Sequence, residues 1–372
     1  MYGRWNRLIV YFVVAAILAA CVAPGAGTTP EAAETPQTEP TEPVVTDTVA
    51  ESPAPAGPTE VRIVTVHISS VDAGWDRSFI DLITRVAGQH PHGLTVTHEV
   101  VENVPWADAE RVMNDLANTG LYDIIFQAGG LRDATCVSAY SHPDQLFGIT
   151  TNPDGYECYT AEANLYLYNS SSVGECGYLL GALAGLMTTS NTLGVVAGYP
   201  ASDTNEPINA FIDGSKAVNP EAQTRVTFIQ SWYDPPLARD AAESQVNAGA
   251  DFIWGLVDGT FEAASAGNAL AAGIYVDQNY LAPETVAASV VANWDSYFLD
   301  IIDVWWEHAG NGSAYSSTEE AISFTLAEGS CDIAITDGLV PANIATQVMD
   351  LRQQIIDGTL VVPISSEEPV SR

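Results

Sequence analysis

From residue 61 the chain alternates short apolar runs of period two with longer segments that are apolar at every third or fourth position. "VRIVTVHI" and "GLTVTHEVVE" read as strands, and "FIDLITRVAGQ" and "WADAERVMNDLANTG" as the helices after them. "YDIIFQAGG" and "LFGIT" extend the series. Such alternation predicts parallel βαβ units, whose ligands sit beyond the carboxyl ends of the strands. A second series begins with "GYLLGALAGLMTT" and "TLGVVAGYP" and runs through "RVTFIQSWYDPP", "DFIWGLVDG" and "IYVDQN". The expectation is two similar α/β lobes, residues 61–167 and 168–286. The remainder is too short for a third domain, so about 287–325 completes the first lobe and about 326–365 the second. The small residues Gly181, Ala184 and Gly185 in "GYLLGALAGLMTT" indicate a helix packed closely on a sheet rather than a membrane helix.

The N-terminus lies outside that pattern. "MYGRWNR", with Arg4 and Arg7, precedes the apolar run "LIVYFVVAAILAA", which fits an export signal and is short for a membrane span. The run ends in "LAAC", which resembles the lipobox of bacterial lipoproteins. Residues 1–21 are then a signal peptide with Cys21 lipidated, and the membrane is met through the lipid anchor only. An ordinary signal with a chance cysteine is the alternative. Residues 22–60 are rich in Pro, Thr, Glu and Ala and lack Lys, Arg and aromatics, the composition of a disordered tether.

The 372 residues carry 12 Lys and Arg against 47 Asp and Glu, a formal charge of −35. Removing the two signal Arg from the 12 leaves 10 basic residues, hence −37, with Lys216 the sole lysine. Nucleic acid is excluded as a partner, because its phosphates need basic patches. With Cys21 set aside, Cys136, Cys158, Cys176 and Cys331 allow three pairings in an oxidising compartment. Cys136 with Cys158 is favoured, while Cys176 and Cys331 pair or stay free. There is no GxSxG elbow, P-loop, HExxH or EF-hand loop, and "HPH" at His90 to His92 is a weak metal signal. No two carboxylates are singled out as a glycosidase pair. The reading is therefore a protein that is not an enzyme and needs no cofactor or metal.

Four stretches in order, "YLLGALAGLMTTSNTLGVVAGYP", "INAFIDGSKAVNPEA", "SWYDPPLARDAAESQVNAGADFI" and "APETVAASVVANW", resemble the basic membrane protein family. Its members are lipoprotein solute-binding components of ABC transporters, the spirochaete purine nucleoside receptors among them. The resemblance implies a two-lobed type I periplasmic-binding-protein fold, with parallel sheets and hinge crossovers closing on a small-molecule solute. It also implies permease and ATPase partners and a monomeric protein. A ligand-sensing receptor of the same fold is the alternative, and would usually carry a membrane helix after the domain.

Several residues are candidates for the ligand. "SWYDPP" follows a strand where the family places an aromatic that stacks on a nucleoside base, which points to Trp232 and then Tyr233. Asp234 is either a helix N-cap or a ligand contact. "DAGWDRSF" matches the family's Asp-x-Ser-Phe pattern through Asp76, Ser78 and Phe79, with Ile80 in place of its Asn. Trp75 either opposes Trp232 in an aromatic sandwich or packs the first helix with Phe79. Gly129 and Gly130 permit close backbone approach, and Asp258 with Gly259 occupies the matching strand end of the second lobe. Asp277 stands where the family has a ribose-binding Asp. Ala292 replaces a family Lys and is followed by Asn293 and Trp294. The expected solute is a purine nucleoside or related flat heterocycle, with a sugar, vitamin or amine as the alternative.

Overall fold

A computed structural model describes residues 57–151, 163–171, 173–317 and 321–371. Cys21, the residues around it and Cys158 lie outside the described residues.

The first sheet is wholly parallel. It contains β1 (Glu60–Val66), β2 (Thr95–Val101), β3 (Ile124–Gln127), β4 (Leu146–Thr151) and β5 (Leu165–Asn169), in the order β2-β1-β3-β4-β5. β1 is sandwiched by helices, so Val61, Ile63, Val64 and Val66 are all buried and its apolar run is nearly continuous. β2 lies at the edge and is half exposed, which is why its sequence tolerates Thr95, Thr97 and Glu99. Helices α1 (Gly74–Gln89), α2 (Ala109–Thr119) and α3 (Arg132–Ser141) follow successive strands. Gly120 stops α2 in the left-handed region, at φ 61°.

The second sheet contains β6 (Thr192–Ala197), β7 (Gln223–Phe228), β8 (Phe252–Gly255), β9 (Leu270–Tyr275), β10 (Val286–Ala292) and β11 (Cys331–Ile335), in the order β11-β10-β9-β8-β6-β7. All pairs are parallel except β10 with β11. Helices α4 (Gly174–Met187), α5 (Ser202–Val218), α6 (Pro235–Asn247) and α7 (Thr260–Ala266) belong to this lobe, as does α9 (Ala342–Ile356), which packs on α4. α8 (Asp295–Asn311) returns to the first lobe. Its Asp300 accepts the Tyr168 hydroxyl at 2.8 Å, and Ile301 lies over Gly148 of β4.

The chain thus crosses between the lobes after Asn169, after Ala292 and again between Ile322, bridged to Tyr168, and β11. One sequence expectation needs correction. Residues 287–292, expected to complete the first lobe, instead form with Val286 an inner strand of the second sheet. Val286, Ala287, Ala288 and Val290 are buried between neighbours on both sides, the environment that a run such as "VAASVVA" requires. The first lobe regains the chain only from α8 onward.

α4 also packs differently from the expectation of helix on sheet. Cβ atoms built at Gly177, Gly181 and Gly185 would strike the backbone oxygens of Pro207, Phe211 and Ser215 in α5. The small-residue stripe therefore sets a helix-on-helix contact. A disulfide joins Cys176 in the first turn of α4 to Cys331 at the start of β11.

Candidate solute-binding cleft

The carboxyl ends of the two sets of parallel strands face a common cavity of about 400 Å³, the size class of small-molecule sites. Ile68 and Ser69 beyond β1, Gly129 and Gly130 beyond β3, and the first residues of α1 and α3 form one wall. Gly198 beyond β6, the start of α5, Trp232 beyond β7, Asp258 beyond β8, and Tyr275 form the other. Short βα connections put backbone amides and first-turn side chains at the strand ends, so the wall follows from the topology.

Trp232 is 37% exposed and lies against Tyr199, with ring centroids 5.0 Å apart. Its ring also fills the space beside Gly198, where a Cβ would come within 2.7 Å of it. Trp75 faces the same cavity, but its ring is fixed from behind. It meets Tyr275, Phe79 and Trp294 edge-on at 4.8, 5.5 and 5.5 Å, and its indole N–H donates to the carbonyl of Ala128. Gly129, at φ 124°, runs under this indole; a Cβ there would lie 3.2 Å from the ring nitrogen. Gly130, at φ 86°, also lines the cavity.

The carboxylates come from both lobes. Asp76 is 3% exposed and lies 2.7 Å from His67. Asp258 accepts the backbone N–H of Gly74, the first residue of α1, at 3.0 Å, and the side-chain N–H of Gln278, also at 3.0 Å. It thereby caps a first-lobe helix from the second lobe. Burial raises the Asp258 pKa, and the charge of Asp76 adds to the rise, against the lowering effect of those two hydrogen bonds. Asp203, in the first turn of α5, is likewise raised by burial although Ser170 donates to it at 3.1 Å. Arg132 is 4% exposed and Asp133 sits beside it on the same wall. Among the described residues there is no group of three or more His, Cys, Asp or Glu arranged to hold a metal ion.

Of the sequence candidates, Trp75, Asp76, Gly129, Gly130, Trp232 and Asp258 line the cavity. The others are placed elsewhere, for identifiable reasons. Phe79 and Trp294 are fully buried and stacked on each other, 5.9 Å apart and 11° from parallel, with the Trp294 N–H on Ser78 Oγ. They form the floor behind Trp75. Asn293 spends its backbone N–H on Ser330 in the crossover. Asp234 is the N-cap of α6, accepting from Leu237 N at 3.0 Å. Tyr233 is 40% exposed and outside the cavity wall. Gly259 sits at a separate groove between α6 and α7; its φ of 112° and its closeness to Pro235 give it a backbone role. Asp277 is exposed and accepts the N–H of Asn279, while its neighbour Gln278 is turned inward.

Sequence reasoning missed Asp203, Arg132, Tyr275, Gln278 and Trp106. Their available signal was position alone: each lies at or within about six residues of a strand's carboxyl end, Trp106 with its side chain 66% exposed at the rim.

Two lobes of mainly parallel sheet, three crossings between them and a cavity at the facing strand ends define a two-lobed solute-binding protein of the type I periplasmic-binding-protein fold. A family model described as ABC transporter substrate-binding protein, PnrA-like, matches residues 60–363, and the chain belongs to that family. The chain is 30% identical over 292 residues to a putative ABC transporter glucose-binding protein of Haloferax volcanii, covering 77% of this chain and 72% of that protein. It is 31% identical over 214 residues to a purine-binding protein of Brucella abortus, covering 56% and 59%. Among solved structures, an ABC transporter solute-binding protein of Conexibacter woesei superposes with a TM-score of 0.63 at 18% identity, covering 82% of this chain and 99% of that one.

Proposed function

We propose that the protein captures a neutral, flat, hydroxylated solute outside the cytoplasm, a purine nucleoside or related heterocycle, and delivers it unchanged to an ABC importer. The observation that carries this reading is the pairing, in one cavity, of aromatic faces with a buried first-lobe carboxylate, Asp76, and the half-buried second-lobe carboxylates Asp203 and Asp258. A base stacked on Trp232 contributes about 1–3 kcal/mol, and ribose hydroxyls donate to Asp203, Asp258 or Asp76. Solute bridging Asp258 and the start of α1 favours the closed state, the usual logic of hinge closure. The purine-binding relative supports the same class of solute. Lipidation of Cys21, a tether over residues 22–60, a monomeric state, and docking on permease and ATPase subunits complete the proposal.

A free sugar is the second reading. The glucose-binding relative favours it, as do Ile80 and Ala292 at positions where the nucleoside-binding members carry Asn and Lys.

The test is calorimetry and thermal shift of residues 57–372 with adenosine, guanosine, inosine, nucleobases, glucose, inositol and spermidine. Nucleosides should raise the midpoint, by mass action on the native state. Trp232→Ala should then weaken nucleoside binding by about tenfold or more. A rise with glucose alone, or a Trp232→Ala loss under about threefold, would overturn the nucleoside reading.

A further inference from the structure

Behind the cleft wall a string of polar side chains runs through the first sheet. Thr65 on β1 and His67 just beyond it are fully buried, and Asp76 at the start of α1 nearly so. His67 Nδ1 lies 2.7 Å from Asp76 Oδ1, and His67 Nε2 lies 2.8 Å from Thr65 Oγ1. Thr65 Oγ1 is in turn 2.8 Å from Nε2 of His98 on β2.

The donors and acceptors fix the bond at Asp76. Asp76 Oδ1 is a carboxylate oxygen, which accepts, so His67 Nδ1 carries the proton. Thr65 Oγ1 links the two rings, donating to one Nε2 and accepting from the other. Burial, with the charge of His67 second, lowers the His98 pKa to about 4, so His98 is neutral near pH 7 and has one ring proton to give. The buried hydrogen bonds of the string polarise one another.

We infer that His67 is a positioning residue for solute capture, donating Nδ1–H to Asp76 Oδ1 and holding that carboxylate ionised, with its other oxygen as an acceptor on the cleft wall. The inference rests on the cleft being the solute site. The other charged groups around Asp76 are Asp258 from the second lobe, Arg132 and Asp133 from α3, Asp203 from α5, Arg77 on α1 and Asp72 just before it. Asp258 and Asp76 repel each other as like charges, and the hydrogen bond from His67 offsets that repulsion at Asp76.

Three measurements test it. In the wild-type domain, ring ¹⁵N shifts should show His67 protonated at Nδ1; an unprotonated Nδ1 would overturn the inference, and this readout needs no variant. Carboxyl ¹³C titration without solute should show the Asp76 midpoint rising by more than about one unit in His67→Leu. His67→Asn, whose amide N–H falls near the Nδ1 position, should restore it. An unchanged midpoint in a folded His67→Leu protein would be fatal. With adenosine as probe, His67→Leu should bind several-fold more weakly near pH 4 and approach wild-type affinity towards neutrality, while His67→Asn follows the wild type. Equal affinity of His67→Leu and wild type at every pH would also overturn it. If wild-type protein does not bind adenosine, the solute reading fails, and the two NMR measurements still decide the role of His67.

Discussion

Asp203 and Asp258 keep charge in the cleft at the expense of stability. Both have pKa values raised by burial, so the folded state binds their protons more tightly than the unfolded chain does. The stabilising contribution of such a group is complete below its unfolded pKa and is lost as pH rises through the folded one. Asp203→Asn should therefore raise the melting midpoint at pH 8, where the wild type carries a desolvated charge, and lose that advantage near pH 4. Equal midpoints for the two proteins at pH 8 would contradict it. A carboxylate retained under that burden is the signature of a functional group. At this scale the sequence was a coarse guide. It marked the loop after β9 but selected Asp277, whereas the backbone there turns Gln278 inward and leaves Asp277 to bond Asn279. Alternation alone cannot distinguish adjacent residues once the chain leaves the strand.

At the level of elements, the tightest constraint is the contact of α4 with α5. A Cβ on Gly181 would lie 2.0 Å from the Phe211 carbonyl oxygen, and one on Gly214 would lie 2.1 Å from that of Tyr178. Backbone on both sides leaves no flexible side chain to yield. Gly181→Ala should cost about 3 kcal/mol or more in urea unfolding. Gly88→Ala, in α1 with open space around its Cβ, should instead stabilise by about 0.5–1 kcal/mol. A neutral Gly181→Ala would mean that the two helices separate easily. The sequence showed a helix of small residues but could not say what it packs on. Close packing on a sheet and on a helix demand the same composition.

For the whole molecule, two cross-cutting features matter. The Cys176–Cys331 bridge closes a loop of sequence separation 155 and ties α4, which follows the first crossing, to β11, which follows the last. Replacing both cysteines with serine should lower unfolding stability by about 3–5 kcal/mol, with solute affinity retained below the melting transition. The acidic surplus of 47 Asp and Glu over 12 Lys and Arg makes the native state repel itself at low ionic strength. Molar sodium chloride should therefore raise the melting midpoint above its value at about 10 mM, where the screening length is about 30 Å. A midpoint that falls or stays flat would show that charge repulsion has little influence on stability.

The period of apolar residues determined, without further help, that this chain builds parallel strands with helices between them, and that architecture puts a cavity at their carboxyl ends. That information is local: burial on one face or both leaves its mark on every second, third or fourth residue. The family resemblance and strand-end position together brought Trp75, Asp76, Trp232 and Asp258 forward. Tertiary structure decided how Val286–Ala292 is allotted to a sheet, that Phe79 and Trp294 stack behind the cleft rather than in it, and that His67 reaches Asp76. Each of these is a meeting of segments distant in sequence or of side chains turned by packing. No repeat along the chain encodes such a meeting; it follows from three-dimensional closure of the two lobes.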